Sequence, residues 1–259
     1  MRIEKSENIN KILKSLHVAT PESHKGQNGR LLVIGGSSEY YGAPVFALKA
    51  AKRFVDLLYF LPGEDVSYLI NAVNCIPEVI LAEHAVTGWV DCTLFGIGLG
   101  NAPFDMQQLS EAKKLVIDGD GLKRIKGNIP KASILTPHEG EFAYLFNIKG
   151  TVENVKRMAK ENECTIIKKD PAGDRITDGE RVFINKMHNP GMTKGGTGDV
   201  LSGLTAALAC CNDNFESACA AAYINGYAAE LLRKRVGYNY CASDLAEKLS
   251  EAYFKLKKA

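Results

Sequence analysis

The chain has 259 residues, 46% of them hydrophobic and 24% charged, which suits one large α/β domain or two small ones and needs no disulfide staples. A formal net charge of +2 argues against nucleic acid or an acidic membrane as a general partner, and no apolar run reaches the roughly 18 residues a membrane helix needs. The polar opening at residues 1–10 does not read as a secretory signal, seven cysteines without a Cys-x-x-Cys pair fit a reducing, cytoplasmic setting, and the five histidines lack zinc-ligand spacing.

Short apolar runs alternate with helical patterns along most of the chain. Residues 30–34 read as a strand ending in Gly35-Gly36-Ser37, and residues 44–55 as a helix with Pro44 in its first turn, where the missing N–H costs nothing. Strands follow at 57–61, 79–82, 93–96, 115–118 and 133–135, then an amphipathic helix at 151–163 and a strand at 165–168. Residues 181–185 read as one arm of a hairpin turned by Asp178-Gly179. The last third is helical: 199–211 and 216–236 are rich in alanine and leucine and read as buried, with Cys210, Cys211 and Cys219 as small core residues. Ser243 is expected to cap a final amphipathic helix whose apolar stripe is Leu245, Leu249, Tyr253 and Leu256. Such alternation predicts a mostly parallel sheet covered on both faces, with ligands beyond the carboxyl ends of its strands, where the glycine clusters fall.

The most informative stretch is residues 189–203, Asn189-Pro190-Gly191-Met192-Thr193-Lys194-Gly195-Gly196-Thr197-Gly198-Asp199-Val200-Leu201-Ser202-Gly203. A glycine turn runs straight into an apolar helix, so consecutive backbone N–H groups can converge on one point and the helix N-terminus adds partial positive charge. That is an anion hole suited to a phosphate in transfer. Asp199, in the first turn, can take a proton from an attacking hydroxyl. Glycine turns also occur at Gly35-Gly36, preceded by His24-Lys25-Gly26, at Gly42-Ala43, and at Gly96-Ile97-Gly98-Leu99-Gly100. Asp118 and Asp120, in Asp118-Gly119-Asp120-Gly121-Leu122, either hold a water, a ribose or a magnesium ion or satisfy loop N–H groups.

Gly-Thr-Gly-Asp opening a late helix resembles the ribokinase-like kinases, and the run Asn189 to Leu201 is similar to the nucleotide-dependent NAD(P)H-hydrate dehydratases within that superfamily. Thr136-Pro137-His138-Glu139-Gly140-Glu141 and the Asp118–Leu122 element fit the same family, with Gly119 in place of its usual alanine and Ile97 in place of its frequent proline. The resemblance covers about residues 20–235 in the family's order of motifs. It implies a three-layer α/β/α sandwich with a mostly parallel sheet, forming one domain over residues 1–259, without the epimerase domain that some members carry.

The implied reaction is the repair of hydrated NADH or NADPH (NADHX, NADPHX). The ring hydroxyl, deprotonated by Asp199, attacks the terminal phosphate of ADP or ATP, and phosphate then leaves to restore the double bond. By resemblance the substrate would meet Ala43, Gly98, Gly100, His138 and Asp199, and the nucleotide would meet Asn189, Gly195, Gly196, Thr197 and Gly198. Glu141 would help organise Mg2+, ADP is favoured as donor, and a homo-tetramer is implied. One region departs from the pattern: Lys169 stands where the family has glycine, in Ile167-Lys168-Lys169-Asp170-Pro171, where its stem would crowd a phosphate. Lys168 either neutralises a nucleotide phosphate or, with Lys169, solvates the strand end. A sugar or vitamin-alcohol kinase of the same superfamily is the alternative; a non-catalytic nucleotide-binding regulator would have no use for Asp199.

Overall fold

A computed structural model describes residues 8–65 and 67–258. The central element is a nine-stranded sheet in the order β3-β2-β1-β4-β5-β6-β7-β8-β9. The strands are β1 (Arg30–Gly35), β2 (Leu57–Pro62), β3 (Val79–Leu81), β4 (Cys92–Ile97), β5 (Leu115–Ile117), β6 (Ser133–Leu135), β7 (Thr165–Lys168), β8 (Asp174–Thr177) and β9 (Val182–Asn185). Every pairing from β3 through β7 is parallel; β8 and β9 close one edge as the antiparallel hairpin expected from Asp178-Gly179.

The inner strands are apolar on both faces, because helices cover both. Leu31 and Val33 point into a core shared with α1 (Ile9–Ser15), α2 (Gly42–Ala51), α3 (Ser67–Asn74), α7 (Thr197–Ala209), α8 (Asn214–Val236) and α9 (Ala242–Lys258). Leu32 and Ile34 point the other way, into a core shared with α4 (Asp120–Arg124), α5 (Glu139–Phe146) and α6 (Val152–Glu161). This is the expected three-layer sandwich. No described helix is long and apolar enough to cross a membrane. Cys92, Cys164 and Cys219 are buried, Cys210 and Cys211 partly so, and Cys75 and Cys241 are exposed.

Several expected helix boundaries move. The helix read over 44–55 starts at Gly42 and ends at Ala51, where Phe54 N–H turns back to Ala51 O at 2.8 Å and leads into β2. Ser243 is not the cap of α9: the helix begins one residue earlier, and Asp244 Oδ2 accepts the Cys241 N–H at 2.8 Å. An acidic side chain near the start thus does what the hydroxyl was expected to do.

The chain leaves β1 toward β2 and β3, then crosses back to pair β4 on the other side of β1. The loops after β1 and β4 therefore diverge, which opens a crevice at the carboxyl ends of these strands. Their geometry is tight there: Gly36 N–H donates to Ile97 O at 2.8 Å, and the β1–β4 register shifts between Ile34 and Gly35. On the covering layer, α2 and α7 touch along their backbones. A Cβ on Gly203 of α7 would run into the Ala47 carbonyl and come within 2.6 Å of its Cα. Glycine at that point is what lets α7 lie against α2 with its N-terminus at the crevice. Gly203→Val should therefore lower the unfolding free energy by about 2–3 kcal/mol, as overpacking does, measured by urea denaturation.

Candidate active site

Gly196 caps the start of helix α7, and its φ of 90° makes the turn from the Pro190–Thr193 3-10 turn into the helix. Val200 N–H makes the helix's bond to Gly196 O at 3.1 Å, so the amides of Gly198 and Asp199 precede it at a helix N-terminus. Thr197 fixes the turn from below, its hydroxyl donating to Met192 O at 2.6 Å and Lys194 O at 2.8 Å. Gly195 is open, with nothing within 4 Å of a Cβ placed there. Lys194, which lies in the glycine run, is tied elsewhere: its ammonium donates to Tyr238 O and, at 2.7 Å, to Tyr240 O. Asn189 organises the turn rather than standing free. Its Oδ1 accepts from Gly191 N–H at 3.0 Å and from the Tyr240 hydroxyl at 2.7 Å, and its Nδ2 donates to Glu230 at 3.0 Å.

Beneath this turn lies a compact set of charges. Lys169 donates to Asp118 Oδ1 at 3.1 Å, and its ammonium is 3.7 Å from where a Gly198 Cβ would stand. Ser202, one turn along α7 from Gly198, donates to Asp118 Oδ2. Burial pushes Asp118 up, but the Lys169 ammonium and the Ser202 hydroxyl outweigh it and hold the carboxyl below its usual range. Lys169 is raised: burial opposes its charge, but Asp118, Glu141 and Asp199 prevail. Asp199 goes the other way. Burial, then the negative charge of Asp118, raise it to about 7, and Lys169 offsets only part of this. Its ionised form is thus disfavoured in the fold, so its contribution to stability is present at acid pH and lost as pH rises through about 7.

Of the substrate-side residues expected from the sequence, Ala43 and Gly98 are in contact. A Cβ on Gly98 (φ 57°) would come within 2.6 Å of Tyr40 O and 2.8 Å of Ala43 Cβ, so the β4 turn and the start of α2 are in contact only because residue 98 is glycine. Gly100 faces Ser37, and its N–H donates to Asp120 Oδ2 at 2.8 Å. Asp120 therefore satisfies a loop amide, whereas Asp118 enters the charge cluster. His138 caps α5: Nδ1 accepts from Gly140 N–H at 3.0 Å and from Glu141 N–H at 3.3 Å, and Glu141 Oε2 accepts the His138 N–H at 2.9 Å.

Two cavities share His138. The larger, about 390 Å³, includes Lys169, Asp170, Thr197, Gly198 and Asn225 in its walls; the smaller, about 260 Å³, lies between Lys123, Glu141 and Tyr144. A third, about 250 Å³, lies at the opposite end of the sheet around His17, Asn28 and Asp56, whose polar groups bond one another.

Sequence reasoning misassigned the two lysines. Lys168 is 1% exposed and closes on Glu139 Oε2 and Asp170 Oδ2, both at 2.6 Å, so its charge is spent inside the protein and is not free for a phosphate. Arg175 also reaches Asp170 at 2.7 Å, and Asp170 is held well below the usual carboxylate range. Strand alternation hid this, because a lysine at a strand end is normally solvated. Lys169, expected to crowd the phosphate, instead turns its ammonium into the site. One Glu141 oxygen is taken up by the capping box, and both Asp118 oxygens are engaged. Among the described residues no three His, Cys, Asp or Glu side chains are grouped to hold a metal. The side chains thus do not form a magnesium cage.

The model of the NAD(P)H-hydrate dehydratase family matches residues 31–251. The chain belongs to that family. It is 42% identical over 255 residues to the bifunctional NAD(P)H-hydrate repair enzyme of Methanocaldococcus jannaschii, covering 92% of this chain and 50% of that protein. With the ADP-dependent (S)-NAD(P)H-hydrate dehydratase of Cenarchaeum symbiosum it shares 37% identity over 257 residues, covering 88% of this chain and 89% of that one. The chain spans about half the length of the bifunctional relatives it matches. A ribokinase-like superfamily protein from Enterococcus faecalis superposes with a TM-score of 0.85 at 24% identity, covering 96% of this chain and 95% of that one, which shows the ribokinase-like fold.

The two lysines are separable by experiment. Lys169→Met removes the counter-charge beside Asp199 and should move that carboxyl's titration to higher pH, read by carbon-13 NMR of the aspartate carboxyls. Lys168→Met should leave that titration in place and cost about 2 kcal/mol in denaturant unfolding, because it strands part-exposed carboxylates.

Proposed function

We propose that this chain is a nucleotide-dependent NAD(P)H-hydrate dehydratase in which Asp199 is the general base and the turn Gly195–Gly198 receives the phosphoryl group in transfer. The observation that carries this reading is Asp199 itself: a carboxyl raised to about 7, in the first turn of α7, beside Lys169 and the amides of a helix N-terminus. A base whose pKa is near the working pH is both substantially ionised and strong enough to take a proton. ADP is the favoured donor, in keeping with family membership and the Cenarchaeum relative's name.

The reaction balances as follows. Asp199 takes the proton of the ring hydroxyl, and the resulting oxygen attacks the terminal phosphorus of ADP. The bond from that phosphorus to the bridging oxygen breaks, and AMP leaves. The phosphorylated ring then expels inorganic phosphate as the ring nitrogen's electron pair pushes in and a ring proton is lost, which restores the double bond of NADH or NADPH. Amides at the α7 N-terminus and the Lys169 ammonium stabilise the charge on the transferring group. Ala43, Gly98, Gly100 and His138 form the substrate side, and Gly195, Gly196, Thr197 and Gly198 the phosphate side, with Asn189 holding their turn in place. Lacking a protein cage, Mg2+ would be carried by the nucleotide's own phosphates, and no step here depends on it.

A small-alcohol kinase would use the same base and anion hole but leave a stable phosphate ester. The second cavity beyond His138 favours a substrate larger than a small alcohol. Hydrated NADH or NADPH given with ADP should yield reduced cofactor and inorganic phosphate in equal amounts; a phosphorylated sugar or vitamin with the hydrate untouched would establish the kinase instead. Asp199→Asn should keep the fold and nucleotide binding and reduce turnover by roughly 10² or more. In the unsubstituted protein kcat/KM should fall tenfold per pH unit below about 7, as Asp199 takes up its proton.

A further inference from the structure

The proposed dehydration moves two protons, and Asp199 accounts for one of them. When the phosphorylated ring expels phosphate, Asp199 already holds the proton of the ring hydroxyl. The proton lost from the ring carbon needs a second acceptor beside the same ring.

Most groups around the charge cluster are committed. Asp118 is held below its usual range, with Lys169 on one oxygen and Ser202 on the other, which makes it a poor base. Asp120 is shared between the Gly100 N–H at 2.8 Å and Lys123 at 2.6 Å. Glu139 closes on Lys168 at 2.6 Å and on the Gly150 N–H at 3.0 Å. His138 accepts two amides on Nδ1, so its neutral ring carries the proton on Nε2 and has no lone pair to offer there. The Tyr40 phenol, raised by its bond to Glu39, keeps its proton.

Glu141 differs. The capping box takes only Oε2, which accepts the His138 N–H at 2.9 Å. Oε1 accepts from no described residue and is not among the sealed oxygens, so it keeps accessible surface. The side chain is 14% exposed and stands in the wall of the smaller cavity. Burial above all raises this carboxyl; Lys169 offsets part of that, and the charge of Asp118 adds to it, so Glu141 is a stronger base than an exposed glutamate. Its charge acts on Lys169 on one side and on Lys123 on the other. Lys123 bonds Asp120, which holds the Gly100 amide. Glu141 therefore stands between the Lys169–Asp118 cluster and the Gly98–Gly100 turn, where the proposed reading puts the ring.

We infer that Glu141 is a second catalytic base, whose Oε1 takes the proton that the ring loses as its double bond returns. This rests on the proposed dehydration. The ring nitrogen's pair first expels phosphate, breaking the C–O bond and leaving a carbon–nitrogen double bond with positive charge. The C–H bond on the neighbouring ring carbon then breaks. Its pair forms the carbon–carbon double bond, the carbon–nitrogen π pair returns to nitrogen, and the proton passes to Oε1. Without that acceptor, water re-adds to the cation and regenerates the hydrate, so the nucleotide is spent for nothing.

A single turnover of hydrated NADH with ADP, full-length protein in excess of hydrate, tests this by following AMP and reduced cofactor together. The unsubstituted protein should give the two in a ratio of one. Glu141→Gln keeps an oxygen for the His138 N–H, since glutamine also serves a capping box. In it the ratio of reduced cofactor to AMP should fall about tenfold or more. Glu141→Asp, which keeps a carboxylate, should fall in between. The ratio is read within one sample, so it does not depend on how much of the variant is folded. A ratio of one in Glu141→Gln, which would send the proton to the departing phosphate instead, overturns the inference. So does loss of AMP and cofactor in the same proportion, as a merely structural part in placing α5 would give. A ratio in Glu141→Asp no higher than in Glu141→Gln would do the same. If the unsubstituted protein forms neither product, the proposed dehydration itself fails and takes this inference with it.

Discussion

One ammonium in a nest of carboxylates governs the site. Asp118, Glu141 and Asp199 all act on Lys169, and the ion pair to Asp118 is at 3.1 Å. Several acids this close cannot all ionise freely away from water, so the lysine decides which of them carries charge. Contact goes to Asp118, which is held ionised, with Ser202 donating to its other oxygen. Asp199 is buried with neither that contact nor that hydroxyl, and it also carries the cost of Asp118's charge. Two aspartates near one cation are thereby driven to opposite sides of their ordinary value. The one left with the higher pKa is the one at the helix N-terminus.

That division depends on backbones touching. α7 can bring its first turn over Lys169 only because Gly203 lets it lie on Ala47 of α2, and because Phe46 of α2 packs at Gly196. Ala43, in the first turn of the same helix α2, is in contact with Gly98 of the β4 turn. A single α2 thus indexes the Gly196 turn and the Gly98 turn to one another, at the crevice that the strand order opens between β1 and β4. The capping box of His138 and Glu141 performs a similar service from α5, placing His138 between the two cavities.

Most of the fold was legible because its elements carry local signals. The alternation of strands and helices, the Asp178-Gly179 hairpin and the alanine-rich late helices all follow from periodicity and turn chemistry. Helix α5 and the short α4 carry little periodicity and are set by what precedes them, a cap at His138 and Gly119 at a φ of 56°. In the site, the glycine turn and Asp199 were readable because neighbours in sequence are neighbours in space there. The lysines were not. Whether Lys168 or Lys169 faces the site is a matter of strand register at the end of β7, and register is fixed by what each face meets: Glu139 and Asp170 for one, Asp118 for the other. That the Oδ1 of Asn225 is buried without a hydrogen-bond partner was equally hidden, since satisfaction of a buried amide is a property of the packed interior.

The charge arrangement also bears on how the site meets a polyphosphate. On the proposed reading, several negative charges arrive beside Asp199, and they would raise its pKa further, toward the protonated and inactive form. Two features oppose this. The α7 N-terminus presents amides to the phosphates, and Lys169, already raised by its carboxylates, keeps its proton throughout the neutral range. Asp118 holds Lys169 from below, with its ammonium within reach of Gly198. A lysine in this position therefore need not bind phosphate tightly to matter. On the proposed reading it keeps Asp199 ionisable when the donor is bound, which is the moment at which a base is required.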